Sequence, residues 1–173
     1  MKRNVRELTK VDVNLIIDYF LNSTPENLSL LGVDENKLPG KNQWNKIIID
    51  DLELLPEKRK FYYVIWEVND IPVGHSNIND IVFGREAFMH LHIWYPGERQ
   101  KGNGTYFVKE SLKCYFEKFK LERIYCQPNA SNDAPNKTLE KAGFTFIKKY
   151  ETIPGWLNFN QHVNLWVMEK NIF

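Results

Sequence analysis

Cysteine is scarce in this chain of 173 residues: only Cys114 and Cys126 are present, with no Cys-x-x-Cys pair. That excludes a disulfide framework and gives no zinc or dithiol motif, so both are expected to be buried structural thiols. An excess of one charge is also missing. Lys plus Arg is 23 against 22 for Asp plus Glu, a net charge of +1, which argues against a dedicated nucleic-acid binder. No apolar run approaches the ~20 residues needed to cross a bilayer, and no membrane partner is expected. Residues 1–8 are basic but lead into no apolar segment. Triplets such as Asn136-Lys137-Thr138 therefore carry no glycosylation message, and a cytoplasmic location is expected. No repeat or low-complexity linker divides the sequence, so residues 1–173 read as a single domain.

Aromatic residues are plentiful. Five Trp, eight Tyr and eleven Phe make up 14% of the chain, enough for a sizeable core. After Thr9, a plausible helix N-cap, apolar residues recur at Val13, Ile16, Ile17, Phe20 and Leu21, one face of a helix. Further helix is expected within 23–42 and from Gln43 to Leu55. The run Phe61 to Val68 is dense in aromatic and β-branched residues and reads as a strand. A turn at 69–72 returns it as a second strand to Phe83, and a third spans Ala87 to Tyr95. The period then changes: Val108, Leu112, Tyr115, Phe116 and Phe119 form one stripe on a helix from about Thr105 to Lys120. A short strand at 123–126 follows, then a helix that starts near Asn132 and stops at Gly143. Strands are expected from Phe144 and near 163–168. The result is a mixed α/β domain with at least one parallel crossover.

The segment Arg99-Gln100-Lys101-Gly102-Asn103-Gly104-Thr105 lies between a strand and a helix. The first N–H groups of a helix lack internal partners and, with the helix dipole, favour a phosphate. Arg99 and Lys101 add positive charge there. The string is not a Walker loop, which needs Gly-x-x-x-x-Gly-Lys-Ser/Thr. It is not a dinucleotide fingerprint either, because Phe107 stands where the third glycine would be. An incidental glycine-containing loop and a nucleotide-binding regulatory domain remain alternatives.

The form Arg99-x-x-Gly102-x-Gly104 resembles the acyl-CoA pyrophosphate loop of the GCN5-related N-acetyltransferases, the GNAT superfamily. A second block, Asn132-Asp133-Ala134-Pro135 through Leu139-Glu140-Lys141-Ala142-Gly143-Phe144, resembles the signature of the branch containing the ribosomal-protein N-terminal acetyltransferases (RimJ/RimL-like). The resemblance implies a single N-acetyltransferase domain: about seven strands in a mixed, mostly antiparallel sheet flanked by helices, with a splayed parallel pair holding acetyl-CoA. It further implies that main-chain groups at Ile93 and Tyr95 hold the pantetheine. N–H groups from Gln100 to Thr105 would hold the pyrophosphate, and Asn132, with Asn136 as a weaker candidate, the pantetheine wall. A main-chain N–H at a bulge in the 87–95 strand is the implied oxyanion donor. Dimers are common in this superfamily, which leaves a homodimer open.

Acetyl transfer requires the acceptor to lose a proton, the oxyanion to be stabilised and the thiolate to be protonated. His90 and His92, two apart on one strand, share a face unless a bulge intervenes, and an unperturbed histidine titrates near about 6.5. His92, nearer the loop, is the preferred base, directly or through water; His90 is second and Glu86 third. Both histidines are as readily explained as packed cleft-lining residues. No metal is expected, since no third ligand lies at useful spacing. Many GNAT enzymes carry a tyrosine where this chain has Leu139, which cannot donate a proton; Tyr106 or Tyr125 would have to substitute. That departure keeps alive a catalytically silent acyl-CoA-binding sensor or scaffold. The acceptor is expected to be a peptide or protein N-terminus or a small primary amine, between walls formed by residues 28–40 and 153–159.

Overall fold

The computed structural model describes residues 1–99 and 101–173. Its centre is the strand β2 (Phe61–Val68), buried on both faces, which is why its sequence is a continuous apolar run rather than an alternation. Tyr62, Val64, Trp66 and Val68 enter one core, while Tyr63 and Ile65 enter a second on the opposite face.

Strand β1 (Arg3–Glu7) pairs antiparallel with β2, and β2 with β3 (Ile71–Val82) and β3 with β4 (Glu86–Ile93) likewise. Strand β4 pairs in parallel with β5 (Arg123–Cys126), and β5 meets β7 (Gln161–Glu169), which carries β6 (Thr145–Thr152) at the edge. The order β1-β2-β3-β4-β5-β7-β6 makes one seven-stranded sheet, the architecture expected from the sequence.

One face is covered by α4 (Asn103–Phe119) and α5 (Asp133–Ala142), the other by α1 (Val13–Leu21), α2 (Pro25–Leu31) and α3 (Lys41–Leu52). The predicted stripe of α4 is buried in the first core. Thr9 does begin the first helical turn: Asp12 accepts its N–H at 2.9 Å and its hydroxyl at 2.6 Å, a cap that satisfies an otherwise orphaned donor.

Strand β1 precedes the helical stretch that begins after Thr9, where the sequence reading places no strand. Its residues, Arg-Asn-Val-Arg-Glu, have little strand character of their own. The strand is specified by β2, and by Arg6, whose guanidinium donates to Asp12 at 2.7 and 2.9 Å and to Glu67 at 2.7 Å. Cys126 is buried, whereas Cys114 is only partly so. No helix of the described residues is long and apolar enough to cross a membrane.

Gly32, after α2, ties the second core to the segment before β7. Its carbonyl accepts from Gln161 Nε2 and Asn158 Nδ2, both at 2.8 Å. Its φ is +71°, and a Cβ there would lie 2.0 Å from Gln161 Oε1. Gly32→Ala therefore loses on both counts and is expected to lower stability by about 2 kcal/mol, read as a lower urea midpoint at unchanged slope.

Candidate active site

Strands β4 and β5 pair only from Glu86/Arg123 to Met89/Cys126. Beyond that point β5 gives way to Gln127-Pro128, and proline cannot donate to a ladder. β4 runs on to Ile93 with that side unpaired. Trp94 donates its N–H to Val73 on β3, so by antiparallel alternation Met89, Leu91 and Ile93 turn their main-chain groups toward the gap. Two contacts agree: Cys126 Sγ–H donates to Met89 O at 3.0 Å, and Arg99 Nη2 to Ile93 O at 3.2 Å. Leu91 was not among the residues expected here.

The gap forms a cleft of about 470 Å³, counting its open mouth, lined by Met89, Leu91, Cys126, Asn132, Pro135 and others. At one end stands the start of α4. Gly102, at φ +73°, turns the chain into that helix, a conformation that favours glycine. Its carbonyl accepts from Tyr106 N, so the N–H groups of Asn103, Gly104 and Thr105 precede the first helical bond. Gly104 has a different reason to lack a side chain: a Cβ would meet Thr138 of α5 at 3.2 Å. Arg99 and Lys101 are exposed, and Glu98 accepts from Lys101 at 3.2 Å and from Asn103 Nδ2 at 3.1 Å. The Asn103 side chain is thus a buried brace for the loop. Gln100 lies outside the described residues.

Tyr95 falls after β4 has ended, and its carbonyl accepts from Glu98 in the following turn. Asn132 lines the cleft, with its Nδ2 donating to Leu30 O at 3.2 Å. Asn136 is a correction. It donates to Asn129 O and Asn132 O at 3.1 and 2.8 Å and accepts from Asn164 and Trp166 at 2.8 and 2.9 Å. All four bonding positions of its amide are taken, so it braces the cleft wall and offers nothing to a ligand.

On the other face, a cavity of about 560 Å³ including its mouth is lined by Phe20, Trp44, Phe61, Tyr63 and Trp156 on one side. On the other lie His75, Asn77 and Asn79 of β3 and His90 and His92 of β4. Leu31, Val33 and 155–158 complete it, so both segments expected to form walls contribute. His90 and His92, with Leu31 and Asn158, line this cavity and the cleft alike. They do share a face, because β4 pairs with β3 without a shift from Phe88 to Ile93. The irregularity lies on β3, between Asn79 and Val82. The bulge expected in β4 is therefore absent from that run.

His75 was missed, although the alternation His75-Asn77-Asn79 was a readable signal: three polar groups on one face of an otherwise buried strand. His75 sits directly opposite His92, and Asn77 opposite His90. The rings of His75 and His92 stack at 4.8 Å. Trp94 Nε1–H donates to His75 Nδ1 at 2.8 Å, and His90 Nε2 pairs with Asn79 Oδ1 at 3.1 Å, which places a proton on Nε2 of each ring. His92 Nδ1 is buried without a protein partner. Among the described residues, no group of three or more His, Cys, Asp or Glu could hold a metal; stacked rings present faces, not converging lone pairs.

Burial pushes His75 well below the ordinary histidine range, with His92 and His90 adding to it. Burial takes His90 down to about 4, opposed by Asp80, and His92 to about 3, helped by His90 and Arg99. Leu139 is buried in the first core. Tyr106 leans on Arg3, with its hydroxyl aimed at Arg3 O, and Tyr125 stacks on Phe88. Neither tyrosine lines the cleft or the cavity, so neither stands in for the expected acid.

The sheet opens between two parallel strands toward a helix N-terminus, and a second cavity shares its inner wall. The chain matches the acetyltransferase (GNAT) domain family over residues 4–145 and belongs to it; its acetyl donor is acetyl-CoA. Solved structures agree in fold. An aminoglycoside acetyltransferase, AAC(6')-Ib, in complex with coenzyme A and kanamycin is 15% identical at a TM-score of 0.76, with 99% of this chain and 97% of that one covered. Spermidine N-acetyltransferase from Vibrio cholerae, with CoA and spermine, is 16% identical at 0.78, over 98% and 96%. The ribosomal L7/L12 α-N-protein acetyltransferase RimL, with CoA, is 13% identical at 0.77, over 98% and 94%. No curated protein matches the chain in sequence.

Two predictions follow from the braces and the rings. Asn136→Asp removes two donors and sets a charge against the carbonyls of Asn129 and Asn132. It should cost about 3 kcal/mol and weaken CoA binding in calorimetry; retention of both would dismiss the bracing role. The histidines set a pH dependence. Their folded forms bind protons less tightly than unfolded histidines, which titrate near about 6.5. Between about pH 6.5 and 4 the unfolded chain therefore holds more protons, so stability is complete above that window and falls as pH falls through it. Glu7 and Asp12, both lowered from carboxylate values, act in the same direction toward lower pH, and Asp51, raised by burial, opposes them. Urea midpoints at pH 7.5 and 5 should differ, and His90→Gln should narrow the difference.

Proposed function

We propose that residues 1–173 form one N-acetyltransferase domain, working in the cytoplasm, that moves an acetyl group from acetyl-CoA directly to an acceptor amine. The acceptor class is a peptide or protein N-terminus or a small primary amine. The observation that carries this is the shared wall: His90 and His92 belong to the β4–β5 cleft and to the aromatic cavity at once.

The residues present fit acetyl-CoA. Main-chain groups of Leu91 and the N–H of Ile93, which lie beyond the β4–β5 ladder, and the side chain of Asn132 would hold the pantetheine. The N–H groups of Asn103, Gly104 and Thr105, with Arg99 and Lys101, would hold the pyrophosphate, and Gln100 is a candidate from sequence alone. When bound, acetyl-CoA supplies the activated acetyl group as a thioester. Cys126 is poorly placed to act as an acyl carrier, since burial pushes its thiol up to about 12 and its S–H is spent on Met89 O. That supports direct transfer.

Magnitudes also limit what His92 can do. A side-chain ammonium ordinarily titrates at about 10.4. Moving a proton from it, or from an N-terminal ammonium at about 7.7–8, onto a ring that burial holds well below either value is uphill by several kcal/mol, at about 1.4 kcal/mol per pH unit. The acceptor therefore enters as the neutral amine. His92, helped by His90, orients it by accepting a hydrogen bond and takes up the proton only once the nitrogen has begun to bond. Proximity in the shared cavity supplies much of the acceleration.

Acetyl-CoA should raise the melting temperature, and Arg99→Ala with Lys101→Ala should shrink that shift. Free thiol should appear only when an amine is added; a shift without thiol release on any amine would favour the silent acyl-CoA-binding module. The rate kcat/KM should rise about tenfold per pH unit up to the acceptor's own pKa. A break near pH 6.5 that vanishes in His92→Gln would instead restore His92 as a conventional base.

A further inference from the structure

The cavity opposite the cofactor cleft has a lining with no carboxylate and no fixed positive charge: it combines aromatic rings, aliphatic side chains, three asparagines and histidines. Three carboxylates stand near it; Asp34, whose N–H donates to Leu157 O, accepts from the Asn36 N–H at 3.0 Å and from its Nδ2 at 3.3 Å. Asp51 lies behind Tyr63 and is occupied by the N–H groups of Lys60 and Phe61 at 2.8 and 3.2 Å. Asp80 is exposed beside the β3 bulge, where its charge reaches His90. Positive charge is at least as near: Lys37 donates to Asn158 O at 2.6 Å, and the charge of Arg99 reaches His92. A molecule carrying several ammonium groups would find no carboxylate on these walls to pair with them.

The apolar side of the cavity is unevenly covered. Trp44 is buried, but Trp156 is 44% exposed at the rim, set edge-on to Trp44 at 6.2 Å and tilted against Phe61 at 6.3 Å. Facing them, Asn77 makes no side-chain hydrogen bond among those of the described residues, and it sits opposite His90.

We infer that this cavity selects a small monoamine with a flat apolar body, of the arylalkylamine class, and discriminates against polycations. The ring would lie along Trp156, Phe61 and Tyr63, covering the half-open indole. The amine would reach the histidine wall, and Asn77 would accept its remaining N–H. The inference rests on the acetyl-transfer reading above and narrows its acceptor.

The test compares tryptamine and phenethylamine with spermine, kanamycin and an unblocked peptide as acceptors, by thiol release, with binding read separately by calorimetry without acetyl-CoA. The arylalkylamines should exceed spermine and kanamycin by at least tenfold in kcat/KM. Trp156→Ala should erode that lead mainly through KM, and Asn77→Asp should raise kcat/KM for spermine by about tenfold. Spermine, kanamycin or the peptide turned over as well as tryptamine would overturn the inference while leaving acetyl transfer intact. If no amine is turned over although acetyl-CoA raises the melting temperature, the transfer reading fails; tryptamine binding in calorimetry that Trp156→Ala abolishes would still support the pocket, and its absence would end both.

Discussion

The site exists because two parallel strands stop pairing. A parallel ladder left open exposes main-chain donors and acceptors that must find partners elsewhere, and a chain closes such a gap unless something holds it. Here Pro128 cannot continue the ladder, and Cys126 ends it by giving its S–H to Met89 O. Asn136 then fixes the departing chain through the carbonyls of Asn129 and Asn132, while accepting from two residues of β7. Gln161 joins the same frame, accepting from Asn129 and donating to Gly32. The opening is thus held by amides on the protein side, so that the free groups of β4 are left facing the cleft.

Much of this was legible in local chemistry. The aromatic run of β2, the stripe of α4 and the glycine that ends α5 each announce their structure within a few residues. What stayed hidden depends on pairing at a distance. β1 is a polar pentapeptide that becomes a strand because β2 offers an edge and Arg6 finds Asp12 and Glu67. Asn136 resembles a ligand-binding asparagine in sequence, and only the positions of Asn164 and Trp166 reveal that its amide is saturated. The side chain of Asn103 is likewise consumed within the loop whose main chain faces outward.

The histidines illustrate the same limit in electrostatic form. A pair at i and i+2 beside a phosphate-type loop reads as a base at neutral pH. The fold brings in a third ring from the neighbouring strand and stacks it on His92 beside Tyr19 and Phe20, and loss of water lowers the affinity of all three histidines for protons. The chemical type was visible; its proton affinity was a property of the packing.

Charge is accordingly divided along the molecule. The end proposed to meet an anion gathers Arg99, Lys101 and the first N–H groups of α4, while the cavity across the wall is lined by groups that carry no fixed charge. A net charge of +1 averages over these two environments and describes neither. The division suits the proposed reaction. Fixed positive charge helps hold a phosphorylated carrier, but charge on the acceptor nitrogen removes the lone pair that must form the new bond. Walls that stabilise ammonium strongly would bind the unreactive form of the substrate. Walls that are neutral favour the form that reacts, and neutral histidines complete them by offering a lone pair without demanding a proton in advance.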